Sequence, residues 1–276
     1  MISIVVPAHN EGTVIARTLK PWVGGPDSED IRIVVACNGC TDDTANTARQ
    51  FGPTVSVVES EVASKTHALN LGDQNSNVFP RIYADADIAI SLDAIRALAR
   101  RLEQGDVLAV APTPLIDLTG CSMAVRWYFA VRSRLPSANQ GFGGSGVYAL
   151  SEAGRERFAQ FPNVIADDTF VRLHFRPDER ETLPVKSTVF PARRLKQLIA
   201  VRTRAHAGTF EIAQRFPELL VNRESSNNRT LLKLFAIPHL WPALLIYCYV
   251  NIIARYKASS SARAFGWERD DTSRHN

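Results

Sequence analysis

The chain has few cysteines and methionines for its length, and it has only a small excess of positive charge. Its 276 residues include 4 cysteines and 2 methionines, and its formal net charge is +4. Four cysteines in a chain of this size exclude the disulfide-dense framework of small secreted domains. A net charge this small does not indicate nucleic acid binding, although it suits phosphates or an anionic membrane surface. We therefore expect no nucleic-acid partner.

Internal repeats, low-complexity linkers and a secretory leader are also missing. The first residues, MISIVVPAHNE, have no basic leader and run directly into an apolar strand pattern, so we expect no signal peptide. The composition, 45% hydrophobic and 22% charged, is ordinary for a folded globular protein. These features predict a protein on the cytoplasmic side of the cell membrane or free in the cytoplasm.

One long hydrophobic run occurs, at residues 234–254, with the sequence LFAIPHLWPALLIYCYVNIIA. Its 21 residues are just enough to span a bilayer, but two prolines, a histidine and an asparagine weaken that interpretation. Lys233 precedes the run, Arg255 and Lys257 follow it, and its Trp and Tyr side chains are typical of membrane interfaces. A single span, a helix lying in the interface and a buried C-terminal helix all stay open. We favour membrane contact, peripheral or single-span.

Short apolar runs, mostly β-branched, occur at residues 2–7, 31–37, 54–59 and 78–85. Continuous apolar character indicates strands that are covered on both faces, as in a parallel sheet. Helix-like segments follow them at 11–20, 42–51, 64–72 and 92–104. This alternation predicts a doubly wound α/β fold, a Rossmann-like, mostly parallel sheet with flanking helices.

Polar side chains stand where these predicted strands end. They are His9, Asn10 and Glu11 after the first strand, Asn38 after the second, and Asp85 and Asp87 after the fourth. Ligands bind at the carboxyl ends of the strands in such sheets. Two carboxylates one residue apart indicate either a divalent metal between them or a solvated turn, and this pattern alone leaves both open.

The pattern changes after about residue 120. A predicted helix at 122–134 leads into NQGFGGSGVYAL (139–150), and Ser151 is placed to cap the helix that follows. The acidic pair of ADDTFVR (166–172), a strand near 181–189 and a basic helical stretch at 193–208 come next. From Ala258 the chain is a polar tail.

Several stretches occur in an order that resembles the family 2 glycosyltransferases with the GT-A fold. They are IVVPAHNE (4–11), VVACNGCTDDT (34–44), SKTHALNLG (64–72), the DAD at 85–87, GFGGSG (141–146) and ADDTFVR (166–172). The resemblance covers roughly residues 1–210, with a nucleotide-binding half at 1–110 and an acceptor-binding half at 111–210. A helical, membrane-associating segment at 211–257 and a tail at 258–276 would follow.

The resemblance implies an enzyme that binds a nucleotide-diphosphate sugar and moves the sugar to an acceptor hydroxyl with inversion. The DAD looks like the family's metal motif, with Asp87 the direct ligand of Mg²⁺ or Mn²⁺ and Asp85 nearer the ribose or the water shell of the metal. Hard oxygen ligands suit such a cation, which neutralises the departing diphosphate. The residues that the resemblance assigns to the donor are Pro7, Ala8, His9, Glu11, Asn38, Lys65, Asp85 and Ala86.

Two parts of the donor region also have a purely structural interpretation. Lys65 can equally be a solvated surface lysine, although Ser64 as a helix N-cap would aim backbone N–H groups in the same direction. Cys37 and Asn38 stand where the family commonly has two aspartates, which leaves the base of the nucleotide open. Cys37-x-x-Cys40 is also the spacing of a redox pair, but the surrounding residues fit the family motif and we do not expect redox chemistry.

Asp167 and Asp168 resemble the family's acidic pair whose second member is the catalytic base. A carboxylate can take the proton of the acceptor hydroxyl as it attacks, so we assign the base to Asp168 and the supporting role to Asp167. Both also suit the first turn of a helix. Phe142, Gly143 and Gly144, with Arg202 and Arg204, are assigned to the acceptor or the diphosphate. His206 as a third metal ligand is a weaker hypothesis.

These residues together predict a metal-dependent, inverting glycosyltransferase that acts on a hydroxyl acceptor, lipid-linked or amphipathic, at the cytoplasmic membrane face. A sugar-nucleotide nucleotidyltransferase is one alternative, but the loop PAHNEG after the first strand lacks the glycine-rich basic sequence that it needs. A non-catalytic nucleotide-sugar binder is the other alternative. The acids at 85, 87 and 168 disfavour it.

Overall fold

The fold was analysed in a computed structural model, which describes residues 1–23, 29–139, 141–224 and 227–260. The strands of the sheet are β1 (Ile2–Ala8), β2 (Ile31–Asn38), β3 (Val55–Ser60), β4 (Arg81–Ala84), β5 (Ala89–Ile90), β6 (Ala109–Ile116), β7 (Val147–Leu150) and β8 (Arg180–Val189). The α-helices are α1 (Ile15–Leu19), α2 (Thr44–Arg49), α3 (Lys65–Gln74), α4 (Leu92–Glu103), α5 (Met123–Arg132), α6 (Glu152–Arg155), α7 (Asp167–Leu173), α8 (Leu195–Arg215), α9 (Asn228–Leu234) and α10 (Trp241–Ser260).

The chain forms two compact units, each built from separate stretches of sequence. The first unit comprises Met1–Leu115, Gly141–Asn163 and His174–Val189. The second comprises Ile116–Gln140, Val164–Leu173 and Phe190–Asn276. This division differs from the predicted boundaries at residues 110 and 210, because the glycine-rich segment and β8 return to the sheet of the first unit.

The first unit contains the sheet, with strand order β3-β2-β1-β4-β7-β6-β8-β5. β1 pairs in parallel with β2 and with β4, and β2 pairs in parallel with β3. β7 runs antiparallel to β4 and β6, and β5 runs antiparallel to β8. The predicted parallel α/β arrangement therefore holds for the first four strands. Their carboxyl ends lie at one edge of the sheet, as in other parallel sheets where this edge binds ligands.

The predicted strands of the first unit are buried, and their side chains form its main core. All seven residues of β1 are buried, and β2 has one exposed residue, Arg32. The core cluster includes Ile4, Ile33 and Ile82 from three neighbouring strands. A Cβ on Gly72 of α3 would lie 2.3 Å from Cγ1 of Val5, so glycine permits the close approach of α3 to β1.

Two predicted elements are shorter in the structure. The helix predicted at 11–20 is limited to Ile15–Leu19, followed by a 3₁₀ turn at Lys20–Trp22 that contains Pro21. Most of the difference lies at the start, where residues 12–14 form a turn instead of helix. Pro21 accounts only for the end at Leu19, because proline has no N–H to donate and clashes with the preceding turn. β4 is limited to Arg81–Ala84 of the predicted run at 78–85, and the DAD lies in the turn that follows it.

The second unit is helical. α10 packs against α8 and α5, and the three helices share a core that includes Tyr128, Leu198 and Val250. The hydrophobic run at 234–254 is broken, since α9 ends at Leu234 and a 3₁₀ turn at Pro238–Leu240 precedes α10. Of the predicted polar tail, Ala258–Ser260 continue α10, and 261–276 lie outside the described residues.

Within the described part of the chain, no single helix has the length and apolar composition to cross a membrane. Asn228–Leu234 and Pro238–Ser260 meet the criteria only as a pair, with a bend of 106° between them.

Candidate active site

The loops that follow β1 and β2 are tied together at the carboxyl edge of the sheet. Nδ1 of His9 lies 2.6 Å from the carbonyl oxygen of Asn38. Asn10, whose φ is +55°, accepts a hydrogen bond on Oδ1 from the backbone N–H of Thr41 at 2.7 Å. Asn10 therefore fixes the second loop.

A second set of contacts joins these loops at the start of α2. The Asp42 carboxylate accepts from the backbone N–H of Gly12 at 3.0 Å and from that of Thr44 at 3.1 Å. The Thr44 hydroxyl in turn accepts from the backbone N–H of Glu11 at 2.7 Å. The acid and the threonine of CTDDT thus have structural roles, and they hold the predicted donor residues Pro7, Ala8, His9 and Glu11 in one arrangement.

Asn38 ends β2 with its side chain fully buried. Among the described residues, neither Oδ1 nor Nδ2 of this amide has a hydrogen-bond partner. An unsatisfied buried polar group costs about 1–3 kcal/mol, so such a group calls for an explanation beyond packing. The next residue, Gly39, has a φ of +59°, and a Cβ there would lie 2.8 Å from Cβ of Ala63.

Side chains of α1 and of the 3₁₀ turn after it hold the backbone of the DAD turn by hydrogen bonds. The hydroxyl of Thr18 donates to the carbonyl oxygens of Ala86, at 2.7 Å, and Ile88, at 3.0 Å. Nε1 of Trp22 donates to the carbonyl oxygen of Ile90 at 2.9 Å. Because Thr18 and Trp22 are buried, they fix the backbone on which the two aspartates stand.

The glycine-rich segment and α3 both reach this turn. The backbone N–H of Asp85 donates to the carbonyl oxygen of Gly146 at 2.8 Å, and a Cβ on Gly146 would lie 2.5 Å from Ile88. Nζ of Lys65 lies 2.8 Å from Oδ1 of Asp85. Ser64 caps α3 as predicted, since its hydroxyl accepts from the backbone N–H of His67. Lys65 is therefore an ion-pair partner of the DAD and not a solitary surface lysine.

The carboxylates of Asp85 and Asp87 form the oxygen-donor set of this turn, and both residues are partly exposed. No group of three or more His, Cys, Asp or Glu residues that suits a metal occurs in the described stretches. Two carboxylates fit Mg²⁺ or Mn²⁺, because such ions keep waters and substrate phosphates as their other ligands. They do not fit a closed structural zinc site, which has four protein ligands.

The sulfur atoms of Cys37 and Cys40 are adjacent to the same loops. A hydrogen bond from the Cys37 thiol, more than any other cause, lowers the pKa of Cys40. The same bond, followed by burial, raises the pKa of Cys37. Sγ of Cys40 also accepts from the backbone N–H of Asn10 at 3.4 Å. Both cysteines are free thiols in this structure.

The glycine-rich segment places Phe142, which was assigned to the acceptor or the diphosphate, in the interior. Phe142 is 7% exposed and its ring stacks on Tyr148 at a centroid distance of 6.4 Å. Gly143 is exposed and Gly144 is partly exposed, which leaves their backbone accessible. Ser145 anchors the segment, because its buried hydroxyl donates to the carbonyl oxygens of Gly141 and Val147, each at 2.7 Å.

In the second unit, Asp167 and Asp168 form the first turn of α7. Asp167 is 4% exposed, whereas Asp168 is partly exposed and its Oδ1 accepts from the backbone N–H of Thr169 at 2.6 Å. Of the two acids, Asp168 is therefore the one accessible to a substrate. The predicted helix N-terminus is also present, so both interpretations of this pair remain compatible.

Arg202, Arg204 and His206 lie on α8 of the second unit. Arg202 is partly buried and Arg204 is exposed. Nε2 of His206 lies 3.4 Å from Oδ1 of Asn251 on α10, and burial, with the charge of Arg202, lowers the pKa of His206 to about 4. His206 belongs to no metal-binding group within the described residues.

Sequence reasoning missed the residues that hold the DAD turn. Thr18 and Trp22 lie 68 residues before the carbonyl groups of Ala86 and Ile90 that they bind, and Gly146 lies 61 residues after Asp85, so only the fold brings them together. A polar threonine within the apolar side of a short helix was the available signal for Thr18. The sequence carried no comparable signal for Gly146 within a run of glycines.

Comparison with known proteins identifies a family. Residues 3–136 match the family model described as Glycosyl transferase family 2. This match confirms the resemblance drawn from the motifs and, with it, the prediction of a glycosyltransferase. None of the curated proteins matches the chain.

Solved structures share the fold. A mannosyltransferase from Pyrobaculum calidifontis in complex with GDP-Man and Mn²⁺ has a TM-score of 0.60 at 21% identity, covering 94% of this chain and 73% of that chain. Glucosyl-3-phosphoglycerate synthase from Mycobacterium tuberculosis, in complex with Mn²⁺, UDP-Glc and glycerol 3-phosphate, has a TM-score of 0.56 at 22% identity, covering 78% and 79%. At these identities the likeness shows the fold alone.

Proposed function

From the glycosyl transferase family 2 domain of residues 3–136, we propose that the protein is a metal-dependent, inverting glycosyltransferase. It would move one sugar from a nucleotide-diphosphate sugar to an acceptor hydroxyl. The observation that carries this proposal is the DAD turn, where Asp85, Asp87 and Lys65 lie after the parallel strands. The nucleotide complexes of the two similar structures support the donor class.

Asp87 and Asp85 would hold Mg²⁺ or Mn²⁺. The metal would supply neutralisation of the negative charge that builds on the departing diphosphate. Lys65 adds a fixed cation on the same side, 2.8 Å from Asp85, so it can bind a phosphate oxygen when the donor is present. Thr18 and Gly146 position both carboxylates through the backbone of the turn.

The nucleoside would be bound by the loop from Pro7 to Glu11, by Ala86 and by Asn38. The amide of Asn38 offers a donor and an acceptor that no described residue satisfies, and a base edge can satisfy both. Asn38 is covered in this structure, so the bound state requires the adjacent loop to open.

Asp168 would accept the proton of the acceptor hydroxyl, with Asp167 supporting the helix start behind it. A hydroxyl is a weak nucleophile until its proton is removed, and a positioned carboxylate contributes about 10²–10⁴-fold to the rate. Gly143 and Gly144 would leave room for the acceptor or diphosphate beside the DAD turn. Arg202 and Arg204 are proposed for acceptor binding.

Calorimetric titration with GDP and UDP, with and without Mn²⁺, tests the donor half of the proposal. We expect binding that requires Mn²⁺ and that is lost in Asp87→Asn. Asp178→Asn is the matched control, since Asp178 is an exposed acid whose ion-pair partner among the described residues is Arg176. Metal-independent binding, or equal binding by both variants, would contradict the metal site.

Turnover measurements with Asp168→Asn test the catalytic half. We expect turnover to fall by about 100-fold or more while nucleotide affinity is retained, because the base acts only in the transition state. Normal turnover in this variant would remove Asp168 as the base. Release of a nucleoside triphosphate from a sugar phosphate would instead point to a nucleotidyltransferase.

We also propose that the second unit lies on the cytoplasmic membrane face. Five large apolar or aromatic residues form a stripe along α10 and are 50–73% exposed: Trp241, Leu245, Tyr249, Ile252 and Tyr256. Their spacing of three to four residues places them on one face of the helix. The opposite face, with Ala243, Val250 and Ala254, is buried.

The charge around this stripe supports an anionic lipid surface as its partner. Residues 225–267 contain no Asp or Glu but five basic residues, of which Lys233, Arg255 and Lys257 lie beside the stripe and are exposed. Tryptophan and tyrosine with flanking lysine and arginine are typical of helices in a membrane interface. An acceptor with a lipid portion would be reached from this position.

A further inference from the structure

Three helices of the second unit bring two arginines and two tyrosines together. Tyr128 and Arg132 belong to α5, Arg202 belongs to α8 and Tyr247 belongs to α10. The rings of Tyr128 and Tyr247 stack with centroids 5.2 Å apart. Tyr128 is 1% exposed, whereas both arginines are partly exposed. In this cluster the ring of Tyr128 is therefore buried, and the two arginine side chains lie nearer the surface.

The hydrogen bonds of this cluster are incomplete. Among the described residues, the Tyr128 hydroxyl and Nε of Arg202 have no hydrogen-bond partner. Arg132 donates to the Ser137 hydroxyl at 2.6 Å, and that hydroxyl also accepts from the Asn227 amide at 2.7 Å. The donors of the cluster thus exceed the acceptors that the described chain provides.

No carboxylate of the described residues balances the two arginines. The groups that shift the pKa of Arg132 are, besides burial, Arg202, Tyr128 and Tyr247. Burial and the charge of Arg202 both lower this pKa. The acids that do form ion pairs in this unit are occupied elsewhere: Glu211 pairs with Arg215 at 2.7 Å and Glu224 with Arg172 at 2.9 Å.

Two like charges in a partly buried place repel each other, and they are desolvated without compensation. The neighbouring His206 adds no positive charge at neutral pH, because burial and Arg202 lower its pKa to about 4. An anion between the guanidinium groups would relieve the repulsion and would accept the unpaired N–H and O–H donors. Guanidinium groups bind phosphate through two parallel hydrogen bonds, which a chloride ion cannot accept.

We propose that Arg132 and Arg202, together with the Tyr128 hydroxyl, form a binding site for a phosphate group. Its assignment to a phosphate on the acceptor rests on the proposed function, whereas the site itself does not. Arg132 was not among the residues expected from the sequence. With that assignment, the site predicts the class of acceptor: a hydroxyl compound that carries a phosphate monoester or diester.

Thermal unfolding in sodium phosphate, compared with sodium chloride at equal ionic strength, tests the site. A ligand that binds only the folded state raises Tm, and the increase grows with the logarithm of the ligand concentration relative to Kd. We expect Arg132→Gln and Arg202→Gln to weaken phosphate affinity about tenfold each, since each removes a charge-assisted contact. Arg134→Gln and Arg215→Gln are the matched controls, because they remove the same charge beside α5 and on α8. Phosphate bound at the donor site would stabilise all four variants equally.

The baseline Tm separates this role from a purely structural one. Relief of the repulsion predicts that Arg132→Gln and Arg202→Gln unfold at the same Tm as the parent, or higher, in chloride. A structural role predicts a lower Tm in chloride and an unchanged response to phosphate. That result, or an identical phosphate response in all four variants, would overturn the proposal.

Two sources of the phosphate are distinguished by the same variants. A soluble substrate predicts that glycerol 3-phosphate, a soluble monoester, stabilises the parent and not Arg132→Gln. A lipid source predicts that only vesicles of phosphatidylcholine with phosphatidic acid do so, and not vesicles of phosphatidylcholine alone. Absence of a difference between parent and variant in both arms contradicts the site.

Binding of nucleoside diphosphate with Mn²⁺ should be unchanged in Arg132→Gln, so failure of the donor site is recognised separately.

Discussion

Gly146 connects its own backbone conformation to the position of Asp85, one of the two proposed metal ligands. Its φ is +66°, a left-handed conformation, and its carbonyl oxygen holds the backbone N–H of Asp85. In Gly146→Ala the new Cβ would lie 2.5 Å from Ile88 and 3.2 Å from Oδ2 of Asp85. We expect a destabilisation of about 2–4 kcal/mol, from left-handed strain and overpacking together.

The matched control is Gly105→Ala. Gly105 has a similar φ of +83°, but a Cβ there meets nothing within 4 Å. Only the backbone strain applies, so about 1–2 kcal/mol is expected by denaturant unfolding. Gly146→Ala should also weaken Mn²⁺-dependent nucleotide binding, whereas Gly105→Ala should not. Equal effects of both substitutions on binding would separate Gly146 from the metal site.

The Cys37–Cys40 pair predicts an unequal reactivity of the four thiols. The hydrogen bond from Cys37 lowers the pKa of Cys40, whereas burial raises the pKa of Cys121 and Cys248. Because the thiolate is the nucleophile, alkylation of Cys40 by iodoacetamide should begin at a lower pH than alkylation of the other cysteines. Mass spectrometry of samples labelled across a pH series measures this order.

The sign of the accompanying stability change follows from linkage. Cys40 has a lower pKa in the folded chain than when unfolded, so its contribution to stability is present at high pH and is lost as pH falls through the folded value. Cys40→Ser should remove the early alkylation. It should also flatten that part of the pH dependence. Simultaneous labelling of all cysteines would show that the hydrogen bond does not persist in solution.

At the level of secondary structure elements, Asp73 ties α3 to β4 and α6. Its Oδ1 accepts from Arg81 at 2.7 Å and from the Tyr83 hydroxyl at 2.6 Å, and its Oδ2 accepts from Arg155 at 2.7 Å. The side chain of Asp73 is 9% exposed. We expect Asp73→Ala to destabilise the protein by about 3–5 kcal/mol, because the buried guanidinium group of Arg81 and the partly buried one of Arg155 would lose their counterion.

Asp178→Ala provides the comparison for this prediction. Asp178 pairs with Arg176 on the surface at 3.1 Å, and exposed pairs contribute about 0–1 kcal/mol. Urea unfolding of both variants measures the difference. A loss below about 1 kcal/mol in Asp73→Ala would mean that solvent or another acid replaces the lost carboxylate.

The elements that the sequence predicted well are those with strong local signals. β1 and β2 match the predicted runs within one residue, because their continuous apolar residues are buried on both faces. Ser64 and Ser151 cap α3 and α6 as predicted, because the capping hydrogen bond joins residues three apart in the sequence and is therefore a local signal. The polar residues at the strand ends were also predicted, since parallel strands place their carboxyl ends at one edge.

The features of the fold and of the candidate site that the sequence did not predict depend on contacts between distant parts of the chain. The antiparallel pairing of β7 with β4 requires a return of the chain after residue 140, and no local pattern specifies it. The burial of Phe142 depends on Tyr148, and the restraint of the DAD turn depends on Thr18. The proposed role of Arg132 depends on the packing of α5, α8 and α10, which no local sequence pattern specifies.

At the level of the whole molecule, the exposed stripe of α10 predicts binding to anionic membranes. A water-exposed leucine or isoleucine gains about 1.5–3 kcal/mol on full burial, and each nearby Lys or Arg adds about 1 kcal/mol at an anionic surface. We expect the protein to sediment with vesicles that contain phosphatidylserine, more weakly at high salt and more weakly still with phosphatidylcholine alone.

The double variant Leu245→Ser, Ile252→Ser should bind those vesicles at least about tenfold more weakly, because it removes two of the exposed apolar side chains. Both residues are exposed, so the fold and the thermal stability should be retained. Leu115→Ser is the control, since Leu115 is an exposed leucine of the first unit. If a second copy of the chain covers the stripe instead, the parent will sediment as a dimer without lipid and the double variant as a monomer, which would contradict membrane docking. The membrane interpretation requires that the parent is monomeric and that the double variant loses vesicle binding. Neither a higher protein concentration nor a lower temperature should restore binding by the double variant, because interfacial binding depends on the helix face that each molecule presents.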